Sequence, residues 1–428
     1  MAWMIDTTPD SDALPALQTL LLAARRSAFY APRLATLGWD EGGCLPISVE
    51  EFCRHMPMTI KAELMADHVA HPPFGSNLTE PLGRYTRFCQ TSGTSGGQPL
   101  AWLDTPESWQ VMLEGWRRVY RAAGIRPGED RIMFAFSFGP FLGFWTAFEA
   151  ATPDCLSFPG GSLSSAGRLA LMERFGATVL CCTPTYALRL GALAQAGEGA
   201  SMADLRIRCL ILAGEPGASV PAVRARLQSL WPGTRLVDHH GMTEVGPVTY
   251  EHPQRQGSLV VMEDQFLAEV IDPRSLAPLP LDGNHEGELV LTTLKRSACP
   301  LLRYRTGDLV RARRLDDAAR TLVLEGGVLG RCDDMRLVRG VNIYPSAVED
   351  VVRGISQITE FEVHERTVDD MRELEVVIEV ETGRNGSIGV AKALERALRE
   401  RFALRIPVRV VAPGTLPRHE FKARRWRA

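Results

Sequence analysis

Between Arg131 and Asp238, short apolar runs alternate with longer amphipathic ones, and this alternation limits the fold more than any other feature. The apolar runs lie at 131–136, 178–182, 207–212 and 235–238, and helix-period segments fill 164–175, 184–194 and 216–230. Strands that are apolar on both faces must be covered on both, which calls for a parallel sheet flanked by helices. The expected class is therefore α/β. From 258 to 310 the pattern changes to alternating strands, with a hairpin-like turn at Leu281-Asp282-Gly283-Asn284, which predicts a β-rich subdomain. After Gly330-Arg331-Cys332-Asp333-Asp334 the pattern starts afresh. Helices at 345–352 and 388–401, with strands at 359–365, 373–381 and 408–411, predict a small α+β unit. The expected domains are 1–332 and 333–428. In the first of these, a helix is expected over 13–29, and Thr105-Pro106 starts another that stops at Gly124.

Composition narrows the function classes. The 428-residue chain carries a net charge of −3, which gives no support for nucleic acid or an anionic membrane as partner. No apolar run is long enough to span a bilayer, and Met1-Ala2-Trp3-Met4-Ile5-Asp6 does not read as a secretion signal. The nine cysteines are scattered, with no Cys-x-x-Cys or His-x-x-x-His spacing, so a zinc site has no support. A cytoplasmic location fits best.

The chemistry concentrates where strands end, which is where open α/β sheets bind ligands. Thr91-Ser92-Gly93-Thr94-Ser95-Gly96-Gly97-Gln98-Pro99 packs three glycines and four hydroxyls into nine residues. Glycines let backbone N–H groups approach a ligand and hydroxyls add donors, so the stretch suits a polyphosphate. A flexible linker is the plainer reading. Predicted strands at 84–89 and 100–103 hold the stretch at both ends and favour a cradle. It is not the Gly-x4-Gly-Lys-Ser/Thr loop, since it has no lysine and runs into proline. Four further segments carry polar residues: Ala213-Gly214-Glu215-Pro216, Asp238-His239-His240-Gly241-Met242-Thr243-Glu244, Arg303-Tyr304-Arg305-Thr306-Gly307-Asp308 and Gly330-Arg331-Cys332-Asp333.

In this order the segments resemble the adenylate-forming superfamily of acyl-CoA synthetases, adenylation domains and luciferases. Arg339-Gly340-Val341-Asn342-Ile343-Tyr344-Pro345 and the tail around Leu416-Pro417-Arg418-His419-Glu420-Phe421-Lys422 are similar to its phenylacetate–CoA ligase-like branch. The resemblance implies that a carboxylate attacks the α-phosphorus of ATP, giving an acyl-adenylate and pyrophosphate, and that coenzyme A then displaces AMP. It implies a nucleotide site of Thr91, Ser92, Gly93, Thr94, Ser95 and Gly96, with Gly214, Glu215, Pro216, Asp238, His239, His240, Gly241, Met242 and Thr243. Asp308 would accept the ribose hydroxyls, and Arg331 would lie near ribose and phosphates. Glu244 is the implied Mg2+ ligand beside Thr243, and Lys422 the cation that enters for adenylation. Asp333 is the implied hinge on which the small domain rotates between half-reactions.

Two positions depart from the family's pattern. His240 stands where most relatives place an aromatic residue that stacks on adenine, and Leu100 where many carry a lysine after the loop's proline. For the acid, the aromatic stretch from Phe134 to Trp145 provides candidates. Phe138 and Phe141, with Ala213, Gly214 and His239, would surround an aryl carboxylate; ordinary core packing is the rival reading for most of the stretch. The expected reaction is ATP-dependent activation of an aromatic acid and its transfer to coenzyme A. Two alternatives are an enzyme that passes the acyl group to a carrier protein or amine, and a non-catalytic adenylate-binding relative. A homodimer is compatible with the sequence.

Overall fold

The computed structural model describes residues 13–91, 99–318, 320–332, 336–339, 341–368, 371–381, 384–418 and 425–427. They form two compact units, each made of two stretches of chain.

One unit combines the chain up to Gly161 with His239–Gly327. Its first helix, Ala13–Ala24, buries Leu17, Leu20 and Leu21 with Phe52 of the helix Val49–His55. It ends five residues short of the expected stop. Strands Arg87–Gln90 and Ala101–Asp104 pair antiparallel, so the segment between them is anchored at both ends, as the sequence predicts. Helix Pro106–Ala122 starts where Thr105 accepts a hydrogen bond from the Ser108 N–H, and it buries Trp109, Met112, Trp116 and Tyr120 along one face. Strands Arg131–Phe134 and Leu156–Pro159 run parallel around the helix Leu142–Ala151. A six-stranded antiparallel sheet completes the unit. Its order is Thr249–Glu251, Ser258–Val261, Leu322–Arg331, Tyr304–Arg314, Asp282–Thr293, Phe266–Ile271. The expected turn at Leu281 is instead the entry to the strand Asp282–Thr293, which bulges between Asp282 and Glu286 and so absorbs the Gly-Asn pair.

The other unit combines Ser162–Asp238 with Val328–Ala428. Strands Val179–Cys182, Cys209–Leu212 and Arg235–Asp238 run parallel, with Leu212 level with Asp238. Every residue of the first two strands is buried, which explains their unbroken apolar sequence. Helix Ser165–Phe175 is capped by Ser164 and closed by Gly176 in the left-handed region. The helix expected from Pro216 begins only at Pro221, because residues 213–220 form a loop over the strand ends. The C-terminal part is a four-stranded sheet of order Val408–Val411, Met371–Val380, Ile358–Val368, Trp426–Arg427. Helices Pro345–Arg353 and Arg384–Phe402 bury Val348, Val352, Leu394 and Leu398 with Phe361 and Val376 of that sheet.

Three arginines of the basic tail are paired with glutamates of this sheet. Arg418 donates to the fully buried Glu379 at 2.5 Å, Arg425 to Glu360 at 2.8 Å and Arg427 to Glu362 at 2.7 Å. These pairs fix the chain on both sides of 419–424.

Candidate active site

In the first unit Thr91 and Leu100 close the foot of the Gly/Ser/Thr-rich segment between them. The Thr91 N–H donates to the Leu100 carbonyl at 3.0 Å, and its hydroxyl accepts from the Leu100 N–H at 2.9 Å. Leu100 is itself buried, so this position contributes packing where many relatives place a cation. Ser92, Gly93, Thr94, Ser95 and Gly96 lie outside the described residues.

The segment from His239 to Glu244 is held by hydrogen bonds to several parts of the unit. His239 Nδ1 lies 2.6 Å from the Thr249 carbonyl and donates to it. Burial pushes the imidazole down to about 4, so the ring is neutral at pH 7. It meets the Trp116 ring edge-on, with centroids 4.6 Å apart. Gly241 and Met242 pair with Pro247 and Gly246. A Cβ on Gly241 would come within 2.7 Å of the Gly246 carbonyl, so only glycine fits there. His240 Nε2 lies 2.8 Å from Asp308 Oδ2.

Thr243 Oγ1 lies 3.5 Å from the carbonyl of Gln90, the residue before the loop. Glu244 is buried; its Oε1 accepts from the Tyr304 hydroxyl at 3.3 Å and pairs with Lys61 Nζ at 2.9 Å. Beneath the segment, Arg296 donates to the carbonyls of Thr243 and Glu244, both at 2.9 Å. Its Nε and Nη2 grip the two oxygens of Asp104 at 2.7 and 2.6 Å. Sequence reasoning missed Lys61, Arg296 and Trp116. Trp116 was legible on the buried face of its helix, whereas Lys61 and Arg296 meet their partners across long stretches of chain.

The aromatic stretch divides. Phe134 and Phe136 are core. Phe138 has φ +52° and packs edge-on against Trp145 and Phe148 at 5.2 and 5.4 Å. A positive φ at a bulky residue is uncommon and marks a turn held by its surroundings. Here the Trp145 indole N–H donates to the Gly139 carbonyl at 2.9 Å and braces the turn. Phe141 precedes the helix Leu142–Ala151 as its half-buried N-cap.

In the second unit, the loop after Leu212 carries the remaining candidates. Gly214 has φ +97°, and Glu215 is half-buried with its carboxylate accepting from the Thr185 N–H at 2.7 Å. Burial pushes the Glu215 carboxyl up, and Arg425, within electrostatic reach in the same unit, pulls it the other way. Asp238 is buried and accepts from the Ser219 N–H at 2.7 Å. A Cβ on Gly217 would strike Pro184, so the loop lies flat on the helix that follows Cys182. Ala213 and Pro216 flank the loop's start, and Arg331 ends its strand half-buried. Asp333 and Lys422 lie outside the described residues.

Two family models match: AMP-binding enzyme over residues 89–294, and AMP-binding enzyme C-terminal domain over 340–427. The phenylacetate-coenzyme A ligase of Thermus thermophilus is 33% identical over 420 residues, covering 92% of this chain and 90% of that protein. The chain belongs to the AMP-binding enzyme family. This AMP-binding enzyme is also 31% identical to the phenylacetate-coenzyme A ligase of Pseudomonas putida, over 92% of this chain and 88% of that one. Among solved structures, it resembles 2-hydroxyisobutyryl-CoA ligase in its postadenylation state with 2-HIB-AMP. That match has a TM-score of 0.87 and 27% identity, covering 97% of this chain and 88% of that one. Its resemblance to an anthranilate CoA ligase with anthranoyl-AMP, at 19% identity and a TM-score of 0.56, shows the fold alone. No helix among the described residues is long and apolar enough to cross a membrane.

Proposed function

We propose that this enzyme is an AMP-forming acid–thiol ligase. It activates a carboxylic acid with ATP through an acyl-adenylate and transfers the acyl group to coenzyme A. The observation that carries the reading is near full-length likeness to phenylacetate-coenzyme A ligases, together with Thr243, Glu244 and Asp308 standing on the family's motifs. The division of labour follows the motifs. The loop at 91–99 cradles the phosphates, Asp308 accepts the ribose hydroxyls, and Arg331 lies by the phosphates. Lys422 arrives from a small domain, 333–428, that turns about Asp333. The acid is aromatic: Phe138 and Phe141 are held at a braced turn after a strand end, and neutral His239 carries no charge to repel or attract an aryl group. Pyrophosphate release across benzoate, phenylacetate, anthranilate and 2-hydroxyisobutyrate, with and without coenzyme A, tests the reading. Aryl acids are expected to turn over with a dependence on coenzyme A. Release without that dependence would favour a carrier protein or amine as acceptor, and activity confined to aliphatic acids would reject the aromatic pocket.

Glu244 suits Mg2+. Among the described residues there is no cluster of three or more His, Cys, Asp or Glu side chains able to cage a metal. Mg2+ is commonly held by one or two carboxylates with substrate phosphates and waters, and a single buried carboxylate meets that need. When bound, the ion offsets phosphate charge. Lys61, at present on Glu244, then provides the cation that Leu100 does not. The two roles separate experimentally. Glu244→Gln is expected to raise the Mg2+ concentration giving half-maximal activity. Lys61→Met is expected to weaken pyrophosphate inhibition at saturating Mg2+ by about tenfold or more, the worth of a hydrogen bond to a charged group. Unchanged pyrophosphate inhibition in Lys61→Met would leave Lys61 as a structural partner of Glu244 alone.

A further inference from the structure

We propose that His240 is a positioning residue for Asp308, and that it sets how strongly the enzyme selects the ribose of its nucleotide. The inference rests on the reading of Asp308 as the ribose acceptor. His240 Nε2 lies 2.8 Å from Asp308 Oδ2, and both side chains are almost wholly buried, at 11% and 5% exposure. The contact joins residues 68 apart in sequence. His240 cannot drift from it. Its carbonyl accepts from the N–H groups of Val248 and Thr249 at 2.9 and 3.2 Å, and its own N–H donates to Thr249 Oγ1 at 3.0 Å. Asp308 is tethered too, its N–H donating to Thr306 Oγ1 at 3.0 Å while Thr306 donates to the Leu289 carbonyl at 2.8 Å.

The contact also assigns the ring. A carboxylate only accepts, so His240 carries its proton on Nε2. Nδ1 is buried with no hydrogen-bond partner among the described residues. An imidazole held for packing or stacking alone would not need its one engaged nitrogen aimed at a carboxylate. A phenyl or phenol ring at this position offers a larger face to adenine, but phenylalanine has no donor to give Asp308. Relative to phenylalanine, His240 gives up stacking area and gains a donor that fixes the carboxylate.

The test is discrimination between ATP and its 2′-deoxy and 3′-deoxy analogues, measured as kcat/KM for pyrophosphate release. His240→Phe is expected to lower the preference for ATP over the deoxy analogues roughly tenfold. Any gain or loss in stacking acts equally on all three nucleotides and cancels in the ratio. His240→Gln, which keeps a donor, is expected to restore part of the preference. His240→Leu serves as a second variant without a donor should His240→Phe not fold. Asp308→Ala is the reference. If it abolishes the preference while His240→Phe and His240→Leu keep it, the positioning role is overturned and the ribose reading stands. If Asp308→Ala itself keeps the preference, the ribose reading fails and the positioning role with it.

Discussion

Replacing Lys422 with alanine is expected to slow acyl-adenylate formation by about 10²–10³-fold, the usual effect of removing one pre-aimed stabiliser of developing charge. Thioester formation from supplied acyl-adenylate is expected to change little. Attack of a carboxylate on the α-phosphorus spreads negative charge over both groups, and an ammonium delivered there lowers the barrier only in that half-reaction. The surroundings of 419–424 favour Lys422 over its basic neighbours. Arg418, Arg425 and Arg427 are each engaged by a buried or nearly buried glutamate of the C-terminal sheet. They hold the two ends of the segment, while Lys422 is the residue that stands on the family's motif. Single-turnover measurement of pyrophosphate release, set beside stopped thioesterification of supplied adenylate, separates the two steps. Equal losses in both would show that the substitution damages the small domain rather than the adenylation step.

How much of this was legible in the sequence depended on how local the cause was. Val179–Cys182 and Cys209–Leu212 could be read because burial on both faces leaves only apolar residues. Ser164 and Gly176 bounded their helix because caps act over three or four residues. Helix Leu142–Ala151 went unread because Phe144, Trp145, Phe148 and the alanines give it no polar stripe to reveal a period. The start of Pro221–Leu230 was misplaced for a different reason, a long-range one. Pro216 looks like a helix start, yet Asp238 and Glu215 hold the preceding residues in a loop from elsewhere in the fold. Motif positions singled out which residues to propose for the site. They did not tell what each one touches: that Glu244 pairs with Lys61, that His240 grips Asp308, or that Thr91 closes its own loop.

The largest effect on stability is expected from Asp104→Ala. Asp104 and Arg296 are 1% and 2% exposed, so the variant leaves a guanidinium buried without its carboxylate. Burial pushes the Asp104 carboxyl up, but the guanidinium facing both of its oxygens opposes this, and Arg296 itself is stabilised in its charged form by Asp104. Breaking such a pair from one side costs about 3–5 kcal/mol, because an uncompensated buried charge remains. Trp102, whose ring lies 5.5 Å from the guanidinium, offers only partial compensation. The loss should also reach the chemistry. Arg296 carries the carbonyls of Thr243 and Glu244, so its displacement loosens the Glu244 carboxylate that we propose for Mg2+. Removing both charges together, in Asp104→Leu with Arg296→Met, is expected to cost far less stability than Asp104→Ala, since no buried charge is left. It should still raise the Mg2+ requirement, since the two carbonyls lose their donor. Urea unfolding of the single and double variants, with Mg2+ titrations of activity, tests both halves. A cost below about 1 kcal/mol for Asp104→Ala would mean that water or another acid reaches Arg296, and the pair would then be no more than a surface bridge.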